Sequence, residues 1–62
     1  MYQKSPEPPF QKKVEDAIAE YGNFIVEEVL HVVEISGVDN AYTMFQEFEQ
    51  YEHCQIIKQL YY

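Results

Sequence analysis

FIVEEVLHVVEI, residues 24–35, is the stretch that decides the fold. Its apolar residues recur in pairs at positions 25/26, 29/30 and 32/33, which fits the period of a helix better than the strict alternation of a strand. A β-strand is the alternative, because the stretch holds four valines and two isoleucines. At about 100° per residue the paired positions span an arc of roughly 160°, which is wider than one neighbouring helix covers. The sequence therefore predicts a helix that meets a second surface.

The same helical phase continues towards the N-terminus. Apolar residues recur every three or four positions from Phe10 to Tyr21, so the pattern predicts one long helix over residues 10–35. A kink at Gly22, or a break into two helices there, is the alternative, because glycine costs about 1 kcal/mol in a helix interior. Prolines within residues 1–9 predict a flexible N-terminal arm.

A turn and a second helix follow. Gly37 suits a left-handed helix cap, and Ser36 with Asp39 fits the capping-box pattern, so residues 36–39 are predicted to form the turn. Apolar residues then predict a second helix over residues 40–60. A short loop between two long helices favours antiparallel packing. The expected fold is an all-α antiparallel helical hairpin, with residues 10–62 as one domain.

The size of the chain predicts self-association. A domain of 62 residues buries only about 60% of its unfolded surface when it folds alone. Cys54 is the one cysteine, so no disulfide within the chain can compensate. We therefore expect a homodimer in which two hairpins form a four-helix bundle. The predicted interface is apolar and consists of Val26, Leu30, Val33, Phe45, Phe48, Ile56 and Leu60.

The charge balance indicates the kind of partner. Eleven acidic residues against four lysines give a net charge of −7. Such a chain is repelled by nucleic-acid phosphates and by anionic membranes, and is attracted to basic protein surfaces. We expect a basic protein surface as partner, with no direct nucleic-acid or membrane binding. The plainer interpretation is that the charge keeps a tyrosine-rich oligomer soluble.

A negative ridge is predicted along the first helix. Glu20, Glu27 and Glu34 recur every seven residues, with Asp16 on the same side, so successive charges would lie about 10 Å apart. Carboxylates can stand in for phosphates opposite lysine and arginine. The ridge is thus a predicted partner-binding site that mimics nucleic acid. The alternative is the solvated face of an ordinary amphipathic helix.

The aromatic content also indicates binding. Six tyrosines and four phenylalanines are many for this length, and interfaces favour tyrosine because it brings contact area at little entropic cost. Tyr51, Tyr61 and Tyr62 are the predicted aromatic contact surface.

A metal site is the alternative reading of the charged residues. Glu28 and His31 have the E-x-x-H spacing that ferritin-like di-iron proteins use in four-helix bundles. Glu49, Glu52 and His53 on the second helix are the further candidate ligands. An ordinary Glu28–His31 surface pair explains the same spacing, so no cofactor is expected.

Taken together, these patterns predict binding rather than catalysis. The sequence shows no Ser-His-Asp set, no activated Cys-His pair and no glycine-rich phosphate loop. One cysteine, no apolar signal segment and no spanning stretch predict a cytoplasmic protein. In outline the expected dimer resembles small plasmid and phage regulators built as dimeric helical hairpins. The expected function is a small acidic interaction module that regulates or inhibits a partner; a metal-binding bundle or a structural subunit of a larger assembly are the alternatives.

Overall fold

The computed structural model describes residues 9–62 and is all-α, with 89% of these residues helical and no strand among them. Helix α1 spans Pro9–Tyr21, α2 spans Asn23–Ser36, α3 spans Val38–Glu47 and α4 spans Tyr51–Tyr61. The all-helical prediction is confirmed. The predicted N-terminal arm lies outside the described residues, except for Pro9, which begins α1 as proline commonly does.

The single long helix predicted over residues 10–35 is wrong, because the chain breaks at Gly22. This residue has φ 103° and ψ 151°, a backbone conformation that is essentially restricted to glycine. Its amide still donates to the carbonyl of Ile18 at 2.8 Å, and its carbonyl accepts from the amide of Val26 at 3.4 Å. Gly22 therefore ends α1 and begins α2 while both of its backbone polar groups stay paired. The alternative of two separate helices is the one observed.

The predicted turn over residues 36–39 is confined to Gly37. Its φ of 93° and ψ of 160° again require glycine, and α3 begins at the next residue. The predicted capping box is wrong, since the Ser36 hydroxyl donates back to the carbonyl of Val32 at 2.9 Å and the start of α3 has no side-chain cap. Asp39 instead lies in the first turn of α3, where its charge suits the helix dipole.

The second long helix, predicted over residues 40–60, is also wrong, because it breaks between Glu47 and Tyr51. Glu49 has φ 59°, in the left-handed region. Its amide donates to the carbonyl of Gln46 at 3.0 Å, and the amide of Gln50 donates to the carbonyl of Phe45 at 2.8 Å. These two bonds form a Schellman motif, in which the left-handed position is usually glycine.

Contacts with α4 fix the direction of α1 and α3. The ring of Phe10, at the start of α1, lies 5.3 Å from that of Tyr61, at the end of α4. The Tyr42 ring in α3 lies 6.4 Å from that of Tyr62, and Phe45 lies 4.6 Å from His53. Both helices therefore run antiparallel to α4.

Helix α2 runs in the same direction as α4. A hydrogen bond of 3.1 Å joins Glu28, in the first half of α2, to His53, near the start of α4. Helices α1 and α3 each contact α2 and α4, and α2 contacts α4 across the diagonal. Successive helices thus alternate in direction, as in an up-and-down bundle. The two long helices of the predicted hairpin are replaced by four short ones, because a break at Gly22 divides the first and a break at residues 48–50 divides the second.

All four helices contribute to one core. Val26, Val29, Ile56 and Ile57 are the largest completely buried side chains, and the other buried apolar residues are Val14, Ala17, Ala41, Phe45, Cys54 and Leu60. The core that was expected from two copies is therefore filled by one chain. No helix within residues 9–62 is long and apolar enough to cross a membrane.

Candidate protein-interaction surface

Most of the residues predicted for a dimer interface belong to the core of a single chain. Four of them, Val26, Phe45, Ile56 and Leu60, are buried within it. Leu30 and Val33 are half-buried against that core, and Phe48 is 69% exposed. The breaks at Gly22 and Glu49 cause this difference, because they let α1 and α4 fold back over the apolar faces of α2 and α3.

The exposed large apolar side chains lie at the two ends of the bundle. Phe24, Phe48 and Tyr51 lie at the end where α1 is joined to α2 and α3 to α4, and they are 84%, 69% and 59% exposed. Phe10, Ile35 and Tyr62 lie at the opposite end. Exposed aromatic rings are the anchors that protein interfaces favour.

Charge is divided between the same two ends. Five carboxylates, those of Glu20, Glu27, Glu47, Glu49 and Glu52, are exposed at the Phe48 end, next to Glu28, whose carboxylate is bonded to His53. None of the three lysines of the described residues lies there; Lys12, Lys13 and Lys58 all lie towards the other end. We refer to these five glutamates together with Phe48 and Tyr51 as the acidic end.

Two carboxylates of the acidic end oppose the helix dipole. Glu20 lies in the last turn of α1 and Glu47 is the last residue of α3, where negative charge costs about 0.3–1 kcal/mol. At the other end of the bundle Asp39 in the first turn of α3 and Lys58 in the last turn of α4 suit the dipole, whereas Glu34 in the last turn of α2 opposes it. Helix stability therefore does not account for Glu20 and Glu47, whereas Glu52 lies in the first turn of α4 and suits the dipole.

A shallow recess opens at the acidic end. It is lined by the five consecutive residues from Glu49 to His53. Glu49 and Glu52 supply carboxylates to it and Tyr51 an aromatic ring, a combination that suits the long aliphatic stem and cationic head of lysine or arginine.

His53 forms the floor of this region and holds α4 to its neighbours. The side chain is buried, with 9% exposure, and its Nε2–H group donates to Oε1 of Glu28 at 3.1 Å. Its ring packs on that of Phe45 at 4.6 Å between centroids. One imidazole therefore ties α4 to both α2 and α3 directly below the recess.

The candidate metal ligands do not converge. Of the five, Glu28 and His53 are brought together, whereas His31, Glu49 and Glu52 are exposed. Within residues 9–62 no group of three or more His, Cys, Asp or Glu side chains is placed to hold a metal ion. The sequence spacing of Glu28 and His31 is real, but Glu28 is bonded to His53 instead.

The prediction of a continuous acidic ridge is wrong, because the chain reverses direction at Gly22, between the two halves of the predicted ridge. Asp16 and Glu20 lie on α1, while Glu27 and Glu34 lie on the antiparallel α2. All four are exposed. Glu20 and Glu27 belong to the acidic end, Glu34 lies towards the other end, and Asp16 lies 3.9 Å from the ammonium group of Lys12.

The three predicted contact tyrosines do not form one surface. Tyr51 belongs to the acidic end, whereas Tyr61 is half-buried at the opposite end. Tyr62 is exposed there, and its hydroxyl donates to Asp39 at 3.0 Å, which raises the pKa of the phenol. The sequence interpretation did not single out Phe24, although its position opposite the buried face of α2 on a helical wheel signals exposure.

No protein-family model, no curated protein and no solved structure matches this chain.

Proposed function

We propose that this chain is a small acidic interaction module that regulates or inhibits a partner protein by placing its acidic end on a basic surface of that partner. The observation that carries the proposal is the separation of charge. Exposed glutamates and exposed aromatic rings share one end of the bundle, and the described lysines lie towards the other.

The chemistry of the acidic end favours a basic protein over other partners. Phe48 and Tyr51 supply apolar contact area, and the glutamates around them attract lysine and arginine. Phosphate backbones and anionic membranes carry the same sign of charge and are repelled. A groove that normally holds nucleic acid is one surface of the required charge, so inhibition by occupying such a groove is part of the proposal.

A titration with a defined basic peptide tests the proposal. We expect an amphipathic peptide of lysine and leucine to shift the amide NMR resonances of the acidic end and leave those near Lys12 and Lys58 unmoved. Binding is expected to weaken as salt rises, because the charges are exposed and screened. Equal shifts at both ends of the bundle would refute a specific site.

A pair of charge-reversal variants provides the matched control. Glu47→Lys and Glu34→Lys change the net charge equally, but only Glu47 lies at the acidic end. Glu47→Lys is expected to weaken peptide binding strongly and, because it suits the helix dipole, to raise thermal stability. Equal effects of the two variants on binding would show that net charge alone attracts the peptide.

The proposal also includes self-association of the chain. Because the core is already filled by one copy, a dimer must form through side chains that remain exposed. Phe24 and Ile35, which are 84% and 71% exposed on α2, are the apolar groups that support it.

A further inference from the structure

The outward face of α2 carries a stripe that is complementary to itself. Phe24, Glu28, His31 and Ile35 follow one another at intervals of four, three and four residues, which places them on one side of the helix. All four are exposed, the two apolar members most of all. The order is apolar, charged, imidazole, apolar, and the spacing is the same from either end.

A second copy of α2 laid antiparallel on this stripe matches it at every position. A two-fold axis between Glu28 and His31 brings Phe24 opposite Ile35 of the second copy and Glu28 opposite His31 of the second copy. Oε1 of Glu28 keeps its bond to His53, and the other carboxylate oxygen faces the second copy. The two apolar contacts lie at the ends and two carboxylate–imidazole contacts lie at the centre. In a parallel arrangement Glu28 would instead face its own equivalent, which is unfavourable. Two-fold interfaces are built from such self-complementary patches.

We propose that the chain forms an antiparallel homodimer through the α2 stripe of Phe24, Glu28, His31 and Ile35. This inference rests on the self-association included in the proposed function and names its surface. The stripe adjoins the acidic end, because Phe24 lies at the same end of the bundle and Glu28 is bonded to His53 in the recess. In the dimer the two α2 helices run in opposite directions, so the two acidic ends point away from each other, with Glu27 of each at the edge of the stripe.

The size and charge of the α2 stripe determine the expected affinity of the homodimer. Helix α2 has 14 residues, so its face is about 20 Å long. One such face belongs with the weak, transient interfaces that bury less than about 1,200 Å². Glu27 and Glu34 flank the stripe and repel their equivalents in the second copy. Salt screens this repulsion, so the dimer is expected to tighten as salt rises.

Sedimentation equilibrium at protein concentrations up to about 1 mM tests the association. Phe24→Glu and Ile35→Glu are each expected to raise the dissociation constant at least about tenfold, which corresponds to roughly 1.4 kcal/mol. Phe48→Glu is the matched control, because Phe48 is also an exposed ring and lies outside the stripe. All three positions are exposed, and circular dichroism verifies that the helices remain. A monomer at every concentration and salt level overturns the proposal.

Cross-linking tests the antiparallel register. One chain carries Phe24→Cys and another Ile35→Cys, both with Cys54→Ser so that no other thiol is present. A short bis-maleimide is expected to link the mixture and to link neither variant alone. Links within each separate variant would establish a parallel pair and overturn the register. Peptide binding at the acidic end weakens with salt whereas the dimer tightens, so a failure of one inference is distinguishable from a failure of the other.

Discussion

Replacing Glu49 with glycine is expected to stabilise the bundle. Glu49 is held at φ 59° by the Schellman motif that ends α3, and its amide and that of Gln50 both donate to α3 carbonyls there. A residue with a Cβ pays a steric penalty in this conformation, whereas glycine adopts it freely. Glu49→Gly therefore removes a strain that the rest of the fold imposes.

The magnitude follows from two opposing contributions. The left-handed conformation costs a non-glycine residue about 1–2 kcal/mol. Glycine also gains freedom in the unfolded chain, which offsets about 0.4–1 kcal/mol of that gain. The difference lies between about 0 and 1.6 kcal/mol, so the expected increase in the free energy of unfolding is about 0.8 kcal/mol. For a domain of this size, 1 kcal/mol raises Tm by about 4–8 °C.

Thermal and urea unfolding, followed by circular dichroism at low protein concentration, measure this change. Glu49→Ala is the control, because it removes the same carboxylate and keeps the Cβ. We expect the glycine variant to exceed the alanine variant in stability while both bind the basic peptide more weakly than the native chain. If the two variants are equally stable, charge repulsion at the acidic end explains the effect and the argument from backbone strain is refuted.

Three further outcomes follow from features of the same bundle. Alanine at Gly22 or Gly37 is expected to lower the free energy of unfolding by about 1–3 kcal/mol, as measured by urea unfolding, because the positive φ is unfavourable for a residue with a Cβ. Crowding does not contribute, since an added Cβ would meet no atom within 4 Å at either position. Burial raises the pKa of the Cys54 thiol, so the folded state favours the neutral form. The stability that this pKa difference provides is present below the ordinary thiol pKa and is lost as pH rises through the raised pKa. A Cys54→Ala variant should therefore lose less stability than the native chain over that alkaline range in urea unfolding. Ellman's reagent should also react with native Cys54 far more slowly than with the urea-unfolded chain. His53→Ala is expected to cost about 2 kcal/mol through lost packing on Phe45, whereas His53→Phe, measured in the same assay, should recover most of it.

Helical periodicity predicted the fold class but not the path of the chain. Apolar spacing continues in phase from Phe10 through Gly22 into α2, because α1 and α2 turn their apolar faces to the same core. A periodic pattern cannot distinguish a straight helix from one that folds back at a glycine. The alternative of two helices separated at Gly22 was correct. The backbone conformation of Gly22 decides between one helix and two, and the sequence does not report that conformation.

The third break left no signal in the sequence. Residues 48–50 contain neither glycine nor proline, and a glutamate occupies the left-handed position. Tertiary packing imposes this end on α3. For the same reason the acidic end could be predicted only in part. The negative charge was evident from the sequence, but Glu49 and Glu52 lie at the same end as Glu20 and Glu27 only because the α1–α2 and α3–α4 connections are at that end of the bundle.

The opposite placement of glutamates and lysines gives the molecule a permanent electric dipole along the bundle axis. In the electric field of a basic macromolecule a molecule with such a dipole is reoriented as it diffuses, so that its acidic end faces the macromolecule at the first encounter. Such an effect raises the association rate more than the affinity of the final complex. If the acidic end binds a basic partner as proposed, this asymmetry is expected to raise the rate of association with that partner.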